Sequence, residues 1–241
     1  MKEGTVSLVQ VLFTLFMYLL AVVIIGLSIF PGVVLCFYAW KFSAVFVLLV
    51  RVLLLCLSFA TAYFIYGFCL ILITGIVRAV FGLTLSEGEY PTASLGTLKW
   101  VLTNALVQLV SNTFMDFMIL TPFITLFFRL MGAKVGKNVQ INSKRCADLS
   151  LLELEDGAVI GGHATVIGHS FERGRLILRK VKIGKHVVIG LNSVILPGCQ
   201  IGDGALIAAG AVLQKNTIVE PRNVYFGVPA SSAKDRHKDK E

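Results

Sequence analysis

The sequence predicts two unlike parts in one chain: a membrane α-helical N-terminal region over residues 1–131 and a triangular parallel β-helix over residues 132–230. Three observations predict this. Apolar residues recur every six positions at Leu154, Ile160 and Val166, then at Ile183, Ile189, Ile195, Ile201, Ile207 and Leu213. Most are followed by a small residue, as in Ile160-Gly161, Ile183-Gly184, Ile189-Gly190, Ile201-Gly202 and Ile207-Ala208. Of the 241 residues 56% are hydrophobic, and the excess lies almost wholly before residue 132. A helix repeats at about 3.6 residues and a strand at about 2, so a sustained period of six fits neither as a single element. It fits short strands joined by corners, with three units completing a turn and each aliphatic residue stacked on its neighbour's.

Residues 1–5 form a short polar start. Residues 6–30 are then uncharged and apolar, long enough to cross a bilayer at about 1.5 Å per residue. The run is too long for a signal-peptide core and lacks a small-x-small cleavage site, so it reads as a retained span ending at Pro31-Gly32. Trp40 and Lys41 have the character of an interface. A second apolar run covers residues 42–77, broken only by Arg51, whose long stem allows it to reach headgroups from a boundary position. Arg78 closes that run, and Lys99, Arg129, Lys134 and Lys137 follow. The basic side is therefore the side of the β-helix, which puts both termini and the β-helix in the cytoplasm.

Residues 83–94, with Gly88 and Pro91, read as a loop. From Leu98 onward Val101, Leu102, Ala105 and Leu109 share one face while Lys99, Asn104, Gln108 and Asn112 share another, which predicts an amphipathic helix lying on the membrane. Thr121-Pro122 is an N-cap and first-turn proline for a last apolar helix ending at Met131. Two coils centred on Val135 and Ile141 follow. The register slips by one residue near residues 144–149. It slips again between Val166 and Ile183, so residues 170–176 must leave the coil there. Departures from a solenoid are where function is usually carried, because the regular faces are occupied with stacking. Residues 231–241 form a charged tail expected to be disordered.

The net charge of +8 is not accompanied by an aromatic-plus-basic pattern or a binding motif, so no nucleic acid is expected as a partner. Basic residues beside apolar helices point instead to membrane lipids. The five cysteines, Cys36, Cys56, Cys69, Cys146 and Cys199, show no paired spacing, which argues against a disulfide scaffold or a structural zinc site.

The Ile-Gly-x-x-x-Val units, the corner Leu196-Pro197-Gly198, the segment 208–212 and the closing Gly227-Val228-Pro229-Ala230 together resemble the hexapeptide-repeat transferases, the left-handed β-helix acyltransferases. A narrower likeness lies at Asp148-Leu149-Ser150-Leu151-Leu152 and Gly168-His169-Ser170-Phe171-Glu172-Arg173. These segments are similar to the membrane-embedded terminal modules of poly-lysine synthetases and related nonribosomal peptide synthetases, which carry a His-x-Phe-Glu segment. Without an adenylation or carrier domain, this chain would be a stand-alone relative of those modules.

The resemblance implies an acyltransferase that takes an acyl or aminoacyl group from acetyl-CoA or another pantetheine thioester, on coenzyme A or a carrier protein, to an amine or hydroxyl. His169 is the candidate general base, since imidazole titrates near neutrality. A base needs an orienting partner on its other nitrogen, and Glu172 and Asp148 are both candidates. Arg173 and Arg175 are candidates for gripping a carboxylate or phosphate. By resemblance the pantetheine arm would run between subunits of a homotrimer along Gly190, Asn192, Ala209 and Gly210, with Lys215 as a phosphate contact. A partner synthetase or carrier protein is a further expectation of the likeness. Three rivals remain: a coenzyme A dependent O-acetyltransferase, a non-catalytic trimeric membrane scaffold, and a zinc hydratase of the gamma carbonic anhydrase type. The last is suggested by His163 and His186, which share the third place of their units with His169. That family places two ligands five apart on one strand, whereas His163 and His169 are six apart, so no metal site is expected.

Overall fold

A computed structural model describes residues 8–233. The polar start at residues 1–5 and the tail from residue 234 lie outside the described residues. The chain separates into two compact units, Met1–Ile76 and Val77–Glu241. The second unit takes in the helices Leu95–Thr113 and Pro122–Leu130, which bury their apolar sides within it.

In the first unit, α1 (Leu8–Phe42) runs through Pro31 without ending there. Proline lacks the N–H for one backbone bond, a loss tolerated in apolar helices with close neighbours. The neighbour is α2 (Leu48–Val80). A Cβ on Gly32 would stand 2.9 Å from the Cβ of Ala62, so Pro31-Gly32 marks a close helix crossing, not a helix end. A 3-10 turn at Ser43–Val45 joins the two helices, and the Arg51 guanidinium lies 4.2 Å over the Trp40 ring beside it. Both helices are long and apolar enough to cross a membrane.

The second unit holds β1 (Gly88–Pro91), α3 (Leu95–Thr113), α4 (Pro122–Leu130) and the coils. Thr121 caps α4, accepting from Phe123 N, with Pro122 at the first position as the sequence predicts. Its nine residues are far too few for a crossing. Ser94 caps α3 by accepting from Thr97 N. The face of α3 formed by Leu102, Leu106, Val107 and Val110 is buried inside the protein, while Val101, Ala105 and Leu109 of the expected lipid face are half-buried.

Short strands then wind in three parallel columns. One holds β3 (Gln140–Ile141), β5 (Val159–Ile160), β10 (Val188–Ile189), β13 (Leu206–Ile207) and β16 (Val224–Phe226). The second holds β6 (Thr165–Val166), β11 (Val194–Ile195) and β14 (Val212–Leu213). The third holds β2 (Lys134–Val135), β4 (Leu152–Leu154), β9 (Val181–Ile183), β12 (Gln200–Ile201) and β15 (Ile218–Val219). Ile189 pairs with Ile207 and Ile195 with Leu213, eighteen positions apart, so three six-residue units make each turn. The repeated residues point inward, and Ile160, Ile189, Ile195, Ile207 and Leu213 are fully buried. Where the next residue is glycine it must be small for a steric reason: a Cβ on Gly190 would lie 2.5 Å from Ala209 N, and one on Gly161 2.6 Å from Ile189 O.

Two turns depart from eighteen. Val135 pairs with Leu154, one residue beyond the rule. Val159 pairs with Val188, an excess of eleven. Those extra residues are β7 (His169–Glu172), β8 (Arg175–Leu178) and their flanks, an antiparallel hairpin closed at its base by Arg179 N donating to Gly168 O at 2.8 Å. The excursion is therefore longer than the expected 170–176. Its outer edge pairs with β1, so residues read as loop form a third strand, with Leu85, Leu151, Leu176 and Leu178 as a small core beneath. At the far end β17 (Ser231–Ser232) pairs antiparallel with β16, and Asn223 Nδ2 donates to Ser232 Oγ at 2.9 Å. Order thus reaches into the stretch expected to be a disordered tail.

Candidate active site

The one-residue slip before β4 and the eleven-residue hairpin meet at one place. The irregular stretch is tied down by Ser143 Oγ donating to Ala164 O at 2.7 Å and by a bridge from Cys146 to Val166. Asp148 follows in left-handed backbone geometry (φ 55°), a region that Asp tolerates better than most residues. This turns its side chain inward, where it is fully buried.

Burying a carboxylate requires donors, and four converge on it. Oδ1 accepts from Trp100 Nε1 at 2.7 Å and Asn104 Nδ2 at 3.0 Å. Oδ2 accepts from the Gly168 amide at 2.9 Å and faces His169 Nδ1 at 2.6 Å. Asn104 also accepts from the Asp148 amide at 3.1 Å, so it grips both backbone and side chain. With both oxygens already taking N–H donors, the proton of the imidazole belongs on Nδ1. Nε2 is then the acceptor nitrogen, and it has no hydrogen-bond partner among the described residues.

The ring of His169 is about a quarter exposed, 24% of its side chain. It meets Trp100 edge-on at 4.9 Å between centroids, and Phe171 at 6.4 Å. Trp100 and Phe171 stand at 5.4 Å, so the imidazole has an aromatic wall on the hairpin side. Trp100 and Asn104, one helical turn apart on α3, were not singled out by sequence reading, which put Asn104 on a solvent face. The signal available was the i, i+4 spacing of an indole N–H and an amide on one helix.

Glu172 does not reach the imidazole. It pairs with Lys215 and accepts from Ser170 Oγ at 3.1 Å. The Lys215 ammonium, then Ser170, hold its carboxyl below the usual carboxylate range. Of the two partners proposed for His169, the geometry selects Asp148. Replacing Glu172 with Gln should leave both the melting temperature and the imidazole geometry near those of the parent, because exposed pairs contribute little. A large shift in His169 ring resonances in the E172Q protein would contradict this.

The other expected residues are dispersed. Arg173 (φ 47°) and Gly174 (φ 74°) make the two-residue turn of the hairpin, the type in which both positions need positive φ. Arg175 faces Glu89 at 3.6 Å. Gly190, Asn192, Ala209 and Gly210 do lie together at the corner after β10 and β13, with Gly210 N donating to Leu191 O at 2.8 Å. Lys215 belongs to the next corner, beside the hairpin, so the five do not form one slot within the chain. His163 (φ 56°) and His186 (φ 53°) occupy left-handed corners and not the strand position of His169, which corrects their assignment to one shared place. The thiols of Cys146 and Cys199 are buried, and desolvation raises both, Cys146 to about 12.

Residues 180–215 match the family model described as bacterial transferase hexapeptide (six repeats). The chain is 28% identical over 112 residues to a delta-poly-L-ornithine synthetase of Acinetobacter baumannii, a match that covers 44% of this chain and 8% of that protein. Among solved structures, it is similar to a hexapeptide-repeat acetyltransferase of Vibrio cholerae complexed with acetyl coenzyme A (17% identity, 64% of this chain, 96% of that one, TM-score 0.47). It is also similar to a galactoside acetyltransferase in complex with coenzyme A (20% identity, 63% and 90%, TM-score 0.46).

Proposed function

We propose that this chain is a membrane-anchored acyltransferase of the left-handed β-helix type, in which His169 activates an amine or hydroxyl acceptor for attack on a pantetheine thioester. The observation that carries the reading is the saturated Asp148 carboxylate, which fixes His169 as an Nδ1–H donor and leaves Nε2 as an outward base. Its location supports the reading too, at the root of the hairpin that leaves the coils, within a chain that matches a transferase repeat.

In the proposed reaction Nε2 takes the proton of the acceptor as its nitrogen or oxygen bonds to the thioester carbonyl carbon. The tetrahedral intermediate then collapses, the C–S bond breaks, and the proton passes from Nε2 to the departing thiolate. Asp148 keeps the ring oriented and balances the imidazolium that forms in between. Coenzyme A is the donor proposed first. The corner at Gly190, Asn192, Ala209 and Gly210, where small residues permit close backbone approach, is the proposed path for the pantetheine arm, with Lys215 near the hairpin as a charged contact. A homotrimer would bring this corner of one subunit toward the hairpin of the next.

The likeness to a poly-ornithine synthetase favours an aminoacyl donor and an amine acceptor, with a carrier protein as the alternative source of the thioester. The membrane part of the proposal rests on α1 and α2, with the β-helix on the cytoplasmic side.

The test follows thiol release from acetyl-CoA and from aminoacyl-pantetheine by the purified chain, with amines and alcohols as acceptors. Acceptor-dependent release above the rate of free imidazole is expected. No release with any donor, together with no binding of coenzyme A, would remove the proposal.

A further inference from the structure

A second site lies on another side of the first coil and shares no lining residue with the His169 centre. A cavity of about 320 Å³ opens there, lined by α4 and the first coil. Arg129 and Lys137 bring two positive charges to it, and none of its lining residues is acidic. Arg129 spends its guanidinium on carbonyls, Nη2 donating to Val135 O at 2.9 Å and to Gly136 O at 2.8 Å. Those bonds hold the side chain in place and leave its charge unneutralised. Asp156 Oδ1 accepts from the Lys137 amide at 2.6 Å and so engages the backbone there, not the ammonium.

Leu120 lines this cavity, and further apolar side chains of α4 stand exposed outside its lining. α4 buries Ile124, Phe127 and Phe128 on one side and exposes Phe123 (43%) and Leu126 (39%) on the other, with Leu120 beside them at 60%. A cationic hollow edged by exposed large apolar side chains matches a lipid headgroup, with phosphate at the cations and acyl carbons at the rim. The exposed apolar side chains of α4 beside the two cations argue for a bilayer over a soluble anion. Arg78, in the last turn of α2, donates through Nη1 to Leu130 O at 3.2 Å and through Nη2 to Thr84 Oγ1 at 2.9 Å. The end of a helix able to span a membrane is thereby bonded to the end of α4.

We propose that this cavity binds the phosphate of an anionic phospholipid through Arg129 and Lys137, with Leu120, Phe123 and Leu126 entering the headgroup layer. The inference rests on the membrane anchorage proposed above. It gives α4 a lipid-facing role and holds the first coil against the membrane surface.

The experiment reconstitutes the full chain in nanodiscs that mix phosphatidylcholine and phosphatidylglycerol, with one lipid brominated at a time, and reads the emission of Leu126→Trp over that of the parent. Quenching by brominated lipid is expected. Phosphatidylglycerol should quench as if enriched about fivefold, the equivalent of roughly one basic residue near an anionic surface. Adding R129Q/K137Q to the same protein should keep the quenching and lose the preference. Quenching equal for the two lipids overturns the phosphate site. An introduced indole that no brominated lipid reaches overturns the docking, whether acrylamide finds it exposed or a second copy covers it. If the chain fails to float with lipid vesicles at all, the anchorage itself falls, an outcome distinct from either of these.

Discussion

His169→Ala is expected to lower acceptor-dependent thiol release by about 10²- to 10⁴-fold, the usual contribution of a positioned general base. The protein should stay folded. The imidazole is part-exposed at a hairpin root, and its removal leaves Asp148 with the donors of Trp100, Asn104 and Gly168. A stability change within about 1 kcal/mol follows, since no buried polar group loses its last partner. The fold and the chemistry are therefore separable at this residue. Thermal unfolding and donor turnover, measured on the same sample, check both halves of the expectation. A variant that melts like the parent and still turns over at the parental rate would show that some other group is the base.

Asp148→Asn is expected to damage both. The substituted amide offers one acceptor oxygen and presents an NH2 to donors on its other side. Either Trp100 and Asn104 or Gly168 and His169 then face it without an acceptor. Each buried donor left unsatisfied costs about 1–3 kcal/mol, so the unfolding midpoint of the β-helix unit should fall clearly. Catalysis should fall further, by about 10³- to 10⁴-fold, because the ring is no longer held as the Nδ1–H tautomer. Ring ¹⁵N resonances of His169 provide a check independent of turnover: one protonated and one bare nitrogen in the parent, and a mixture in D148N. Parental stability with a parental tautomer would show that the four converging donors do not govern the site.

Much of the site was legible because its parts break a rule that the rest of the chain obeys. The spacing of seventeen between Val166 and Ile183 announced that the coil opens after Gly168. The slip near residues 144–149 announced a second irregularity about one turn earlier, which carries Asp148. The choice between Asp148 and Glu172 was not legible. Both lie at a plausible chain distance from His169, and only the inward left-handed turn at Asp148 removes one of them from solvent.

The helices show where pattern alone misleads. Pro31-Gly32 has the composition of a helix end, yet Gly32 serves the contact with Ala62. The polar positions of α3 looked solvent-facing because an amide and a carboxylate forty-four residues apart leave no joint mark on a periodicity. β1 was hidden for a similar reason, since a lone strand of four residues acquires its hydrogen bonds only from the hairpin it meets.

The sequence by itself determined the coil. A six-residue period with a small residue after most of the aliphatic ones is a local code, repeated often enough that stacking has one solution: the inward residue must find its counterpart eighteen positions away. Tertiary structure alone decided the chemistry of the centre. A buried carboxylate persists only where donors from separate segments, here α3, the irregular coil and the hairpin, reach it together, and that convergence is a property of three-dimensional packing with no repeat to record it.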